Sequence, residues 1–162
     1  MPDTVVQPPE ISTYDRELIR RLMYFKFVTG YAAEHKTAPD SDGVAPSAVN
    51  EFHDYLDKQQ FTYREDGETK LDEFNQIATK ENYGPSVRTE IEHLQREMAN
   101  EKVNAFQKHL PEIRHELAAE LASRYRGDEG RIAAGLNDDI QVLTAEKILS
   151  DSRWYDRLLK LK

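Results

Sequence analysis

Apolar residues recur every three or four positions along most of this chain, and the places where that rhythm breaks mark its organisation. Val49, Phe52 and Leu56 hold one helical face, after which Phe61 and Tyr63 recur at two, so the period changes from helical to extended at Gln59-Gln60. Upstream, the proline-marked stretch from Pro2 to Pro9 cannot be helical and reads as extended. Ser12 with Asp15 three residues on is a relative of the capping box, and Leu18, Ile19, Leu22, Met23 and Phe25 predict one helix running on towards Tyr31. Ala38-Pro-Asp-Ser-Asp-Gly43 predicts a loop, and Ser47 after Pro46 predicts the cap of the Phe52 helix.

Arg64-Glu-Asp-Gly67 is the next break, followed by a short helical face of Leu71, Phe74, Ile77 and Ala78 that ends at Gly84-Pro85. Gly84 is the candidate left-handed terminal residue there, and Ser86 is expected to start the longest helix. Its stripe of Val87, Ile91, Leu94 and Met98 continues, after a one-residue offset, through Val103, Phe106, Leu110 and Ile113. Pro111 either kinks one long helix or occupies the first turn of a new one, and a break near Lys108 is the favoured reading. Gly127-Asp-Glu-Gly130 marks a turn, Asn137-Asp138-Asp139 a cap, and Asp151-Ser152 the cap of a last helix holding Trp154 and Tyr155. Only Thr4-Val5-Val6 and Phe61-Thr-Tyr63 look like strand material. The expected fold is therefore all-α, a bundle-like domain of six to eight helices with at most a short extended segment.

Length and charge narrow the partners. A chain of 162 residues makes one domain and buries roughly two thirds of its unfolded surface. Thirty carboxylates against 22 basic side chains give a formal charge of −8, which repels phosphate backbones and anionic bilayers; no nucleic-acid partner is expected. No apolar run approaches the roughly 20 residues of a membrane helix, and even Leu22-Met-Tyr-Phe25 is broken by Lys26. The first residues, Met-Pro-Asp-Thr-Val-Val, carry no visible export signal. Cysteine is absent, which removes disulfides and thiolate chemistry and leaves the redox compartment open.

Candidate chemistry is sparse. Glu90-Ile-Glu-His93 and Glu112-Ile-Arg-His115 repeat the Glu-x-x-His spacing that ferritin-like bundles use for two metal ions. The line of Glu90, His93 and Glu97 runs beside the apolar stripe instead of through it, which is the pattern of a solvated helix face. No metal site and no cofactor is assigned, and a di-iron-like metalloprotein stays as the alternative together with a freestanding helical adaptor. Ser12, Ser47, Ser86 and Ser152 each precede a helical pattern, so they read as caps and not as nucleophiles. Arg124-Tyr125-Arg126 reads as a basic helix end. Tyr14, Tyr24, Tyr31, Phe25 and Phe27 at helical spacing read as core.

Several landmarks in fixed order resemble one family. Phe52 to Tyr63 is similar to a segment that follows the protease core in carboxy-terminal processing, or tail-specific, serine peptidases of the Bacteroidetes type. Pro2-Asp3-Thr4-Val5-Val6 resembles the sequence closing that core, although the family's preceding glycines have no counterpart before Pro2. Leu18 to Tyr31 resembles the helix after the core, and Ala122-Ser-Arg-Tyr125 with Gly130 resembles the family's Arg-Tyr and glycine turn. The resemblance implies a parent that is an exported endopeptidase with a PDZ substrate-docking domain and a serine-lysine dyad upstream, so no catalytic residue is carried onto this chain. It implies residues 1–11 as an extended leader, the remnant of the peptidase core, and residues 12–162 as a non-catalytic helical C-terminal domain. Expected partners are the upstream peptidase core and PDZ domain, a protein substrate or another subunit, in a periplasmic or otherwise extracytoplasmic setting. Phe61 and Tyr63 are the candidate contact residues, because an aromatic extension beyond a helix suits groove docking or strand pairing; burial within this same domain is the competing reading.

Overall fold

A computed structural model describes residues 5–37, 43–137 and 139–159. The fold is all-α. Among the described residues the order is α1 (Thr13–Arg20), α2 (Met23–Glu34), α3 (Pro46–Lys58), α4 (Asp66–Lys80), α5 (Pro85–Val103), α6 (Ala105–Lys108), α7 (Leu110–Leu136), α8 (Ile140–Ser150) and α9 (Ser152–Leu158). Thr4, most of the loop expected at 38–43 and the Asp138 part of the expected cap lie outside the described residues. Residues 5–12 precede α1 without helix or strand, with Val5 and Ile11 exposed.

Caps written in the sequence explain several starts. Ser12 Oγ accepts the backbone N–H of Asp15 at 3.1 Å, while Asp139 and Asp151 do the same for the first turns of α8 and α9. Pro111 occupies the first turn of α7, where its missing N–H has no helical partner to lose, and the break expected near Lys108 is the single turn α6. Other starts differ from expectation. Ala45 caps α3 with Pro46 at its first turn, so Ser47 lies inside that helix. Gly84 is the N-cap of α5, with φ of −64°, and the left-handed residue closing α4 is Asn82 at φ 54°. The Gly67 break is likewise helical: Glu65 N–H donates to Glu68 Oε2 at 2.8 Å and α4 begins at Asp66. The longest helix is α7 and not α5, although Gly127 (φ 68°, ψ −158°) kinks it where the Gly127 to Gly130 turn is expected. Gly130 is needed just after this kink, since a Cβ there would meet Ala122 O at 2.6 Å.

The helix expected from Leu18 to Tyr31 is two helices. Leu22 adopts a left-handed conformation, φ 57° and ψ 36°, which divides α1 from α2 without a glycine or proline. The reversal lets both helices turn apolar faces inward: Tyr14 and Leu18 from α1 meet Tyr24, Phe27 and Val28 from α2 in one core. Val49, Phe52 and Leu56 of α3, Phe106 of α6, and Ile113, Leu117 and Leu121 of α7 complete it. The most extensive pairing is α2 on α7, while α4 and α5 form a helical hairpin and α8 packs chiefly on α9.

The change of period at Gln59-Gln60 has a definite structure. Gln60 is left-handed at φ 50°, its N–H donates to Asp57 O at 2.9 Å, and the N–H of Phe61 donates to Leu56 O at 3.0 Å. This pair of bonds is a Schellman stop, and it returns Phe61 to the side of the helix that carries Leu56. A left-handed residue with a Cβ is strained, so Gln60→Gly is expected to raise stability by about 0.5–1 kcal/mol, read as a later urea midpoint with unchanged m-value.

Candidate functional site

Where the chain leaves α3, two aromatics cross over α1. Phe61 and Tyr63 each meet Tyr14 edge to face, with ring centroids 5.6 and 4.9 Å away, and they stack on each other at 6.4 Å. Both are half-buried and pack against the core. Their outer faces carry cations: Arg21 lies 5.3 Å from the Phe61 centroid and Lys102 lies 4.3 Å from the Tyr63 centroid. Tyr14 also stacks on His109 at 5.3 Å, and its phenol is pushed up to about 12 by burial and by the Asp57 and Asp15 carboxylates. The extended segment expected at Phe61 to Tyr63 is thus a strap held by side chains; no strand occurs among the described residues.

Lys102, on α5, locks the strap to the α4–α5 hairpin. Its Nζ donates to Tyr63 O at 2.5 Å and to Glu68 Oε2 at 2.8 Å. Burial disfavours the Glu68 charge, but the Lys102 hydrogen bond and the Glu65 N–H outweigh it and hold the carboxyl below its ordinary range. Lys102→Met keeps much of the stem and removes three favourable contacts. It is expected to cost about 1.5–3 kcal/mol in urea unfolding, since charged hydrogen bonds at a half-buried site are lost and Glu68 loses its ion-pair partner while keeping the Glu65 N–H. No effect on the urea midpoint would show that the strap is held by aromatic packing alone.

Beneath Tyr14, three helices converge on a buried carboxyl. Asp15 of α1 is 4% exposed and accepts the Tyr24 hydroxyl of α2. From α7, Glu112 and Glu116 oppose its charge, with Glu116 acting through its own titration, while His109 and His115 favour it. Burial is the main reason that the Asp15 and Glu116 pKa values both rise. One Glu112 oxygen, Oε2, is buried without a hydrogen-bond partner. Asp15 completes the Ser12 cap through its backbone N–H, while its carboxyl turns inward to Tyr24 and not back to the N-terminus of α1. The available signal was a carboxylate three residues before Leu18, on the face that must be buried.

The two Glu-x-x-His pairs do not meet. Glu112 and His115 lie half-buried on α7, whereas Glu90 and His93 are exposed on α5. Among the described residues, no group of three or more histidine or acidic side chains is arranged to hold a metal ion. Tyr125 donates its hydroxyl to His35 O, tying α7 to the end of α2, and Ser150 bonds back to Glu146 O within α8. An open groove between α2 and α3, about 240 Å³, is lined by the aromatic rings of Phe27, Tyr31 and Tyr55 and by charged side chains that include Glu51 and Lys58. No described helix is long and apolar enough to cross a membrane.

These features define an α-helical domain with an aromatic strap over a mixed core. Residues 14–149 match the family described as "Probable PDZ-protease, C-terminal helical domain", and the chain belongs to that family. Comparison with curated proteins and with solved structures finds no match.

Proposed function

We propose that this chain is a non-catalytic C-terminal helical domain of a carboxy-terminal processing serine endopeptidase working outside the cytoplasm, where it holds the peptidase core or a further subunit in place. The family match over residues 14–149 carries the reading, because it assigns most of the chain to a protease-associated helical domain. The landmark order from Pro2-Asp3 to Gly130 supports the finer assignment, with a serine-lysine dyad and a PDZ domain upstream and residues 1–11 as the leader from the peptidase core. Phe61 and Tyr63 are the contact residues of this reading: both keep partial exposure, and the strap that holds them presents the exposed Thr62 between them.

The test has two arms. Purified chain incubated with fluorogenic peptides bearing free carboxyl termini should show no turnover, and turnover abolished by replacing a single serine would overturn the non-catalytic assignment. A photo-crosslinking residue at position 62 in the full-length parent should capture the peptidase core or a second subunit. Capture by neither, with efficient capture from another surface, would remove Phe61 and Tyr63 from the contact.

A further inference from the structure

Helix α1 depends on its docking. It has eight residues, too few to hold a helix in water unaided, and the left-handed Leu22 separates it from α2. Burial of Tyr14 and Leu18 keeps it in place. The strap rests on it in turn, since Phe61 and Tyr63 both bear edge to face on Tyr14. Any change in how firmly α1 sits is therefore passed directly to the two strap aromatics.

The joint between α1 and α7 is also where buried charge collects. Among the described residues Asp15 is the only one with an ionisable carboxyl or cationic group that is buried, and Tyr24 of α2 donates its hydroxyl to it. From α7 and the turn before it, Glu112 and Glu116 oppose ionisation of Asp15, while His109 and His115 favour it. Glu116 is half-buried; His115 and Arg131 favour its charge and Glu120 opposes it, but Arg131 is already engaged by Glu120 at 2.8 Å. Asp57 of α3 adds negative charge near Tyr14, and on α1 itself Glu17 is engaged by Arg20 and Arg21 at 2.6 and 3.2 Å. Glu112 Oε2, buried without a hydrogen-bond partner, shows that donors are short at this joint. Carboxyls on facing helices, shielded from water and short of donors, are accommodated with protons on them and repel once both are ionised. We propose that Asp15 and Glu116 form a proton-operated latch between α1 and α7, which seats α1 firmly when protonated and, when ionised, loosens α1 and the strap that carries Phe61 and Tyr63.

Both carboxyls titrate above their ordinary range, chiefly through burial. Their help to docking is complete below that ordinary range and is lost as pH rises through the raised values, so α1 is tight in acid and loose at neutrality. The consequence for the strap rests on reading Phe61 and Tyr63 as contact residues, but the latch itself is measured without a partner. Hydrogen exchange of the purified chain at pH 4.5 and 7.5, read as protection of residues 13–20 relative to residues 48–57 in the same sample, cancels the pH dependence of intrinsic exchange. The relative protection of α1 should fall at least about fivefold between the two pH values. D15N/E116Q should keep the acid level of protection at pH 7.5, and E116Q alone should recover part of it. A wild-type chain in which α1 and α3 respond to pH in parallel would overturn the latch, as would a fall that persists undiminished in D15N/E116Q. Failed crosslinking at position 62 would remove the contact and leave the latch standing.

Discussion

Phe52→Ala is expected to lower unfolding stability by about 3–5 kcal/mol, the usual cost of removing a buried aromatic ring and leaving a cavity behind. Phe52 is fully buried, and four rings surround it: Tyr24 at 5.0 Å, Phe27 at 5.2 Å, Tyr55 at 6.3 Å and Phe106 at 6.5 Å between centroids. These neighbours come from α2, α3 and α6, so the cavity cannot close by shifting a single side chain. Their rings are themselves held by packing on α7, which limits relaxation further. For a domain of this size the loss should lower the melting temperature by roughly 6–20 °C. Phe52→Leu keeps most of the volume and should cost clearly less. Leu143→Ala is the control, because Leu143 is 47% exposed and the change should fall within about 0.5 kcal/mol of wild type. Equal losses for Phe52→Ala and Leu143→Ala in urea unfolding would show that the core is not centred on α3.

Asp15→Asn is expected to make the domain more stable than wild type at neutral pH, with the advantage vanishing as pH approaches about 4. The sign follows from the raised pKa of Asp15, caused first by burial, opposed by the Tyr24 hydrogen bond, and increased by Glu112. A carboxyl that holds its proton more tightly folded than unfolded favours the native state fully below its unfolded pKa. That contribution is lost as pH rises through the folded pKa, so the charged form burdens the fold at neutrality. Glu116 carries the same sign, again through burial and then through Asp15. Asparagine retains an oxygen to accept from Tyr24 and removes the charge, whereas Asp15→Ala also strands the Tyr24 hydroxyl and should cost about 1–3 kcal/mol. Glu17 and Glu68 have lowered pKa values and act in the opposite direction, losing their contribution as pH falls. The measurement is therefore the difference between wild type and Asp15→Asn in urea unfolding across pH 4 to 8. A constant difference over that range would sink the account.

The strap shows how far local pattern reaches. The change of period after Leu56 is visible in the chain, and so is the aromatic alternation of Phe61 and Tyr63. Their engagement with Tyr14, Arg21 and Lys102 is not, because those partners lie some 40 to 50 residues away in the chain and are joined only when α1 and α5 pack beside the strap. Glu112 and His115 were legible as a spaced pair, yet their surroundings depend on where α1 places Asp15. The Glu90 and His93 pair has the same spacing and a different fate, since α5 turns it to solvent.

By itself the sequence determined the helical class, the caps at Ser12, Asp139 and Asp151, the stop before Pro111 and the turn at Gly127, because each depends on backbone hydrogen bonds or φ preferences within a few residues. Tertiary structure decided the division of α1 from α2 at Leu22, a residue without a glycine's freedom, where both helices turn apolar faces into one core. It also decided the burial of Asp15 against Tyr24 and Glu116, and the exposure of an α8 that is apolar all round. Spacing along a chain sets which residues share a face; only the approach of another element determines whether that face meets a carboxylate, a cation, a ring or water.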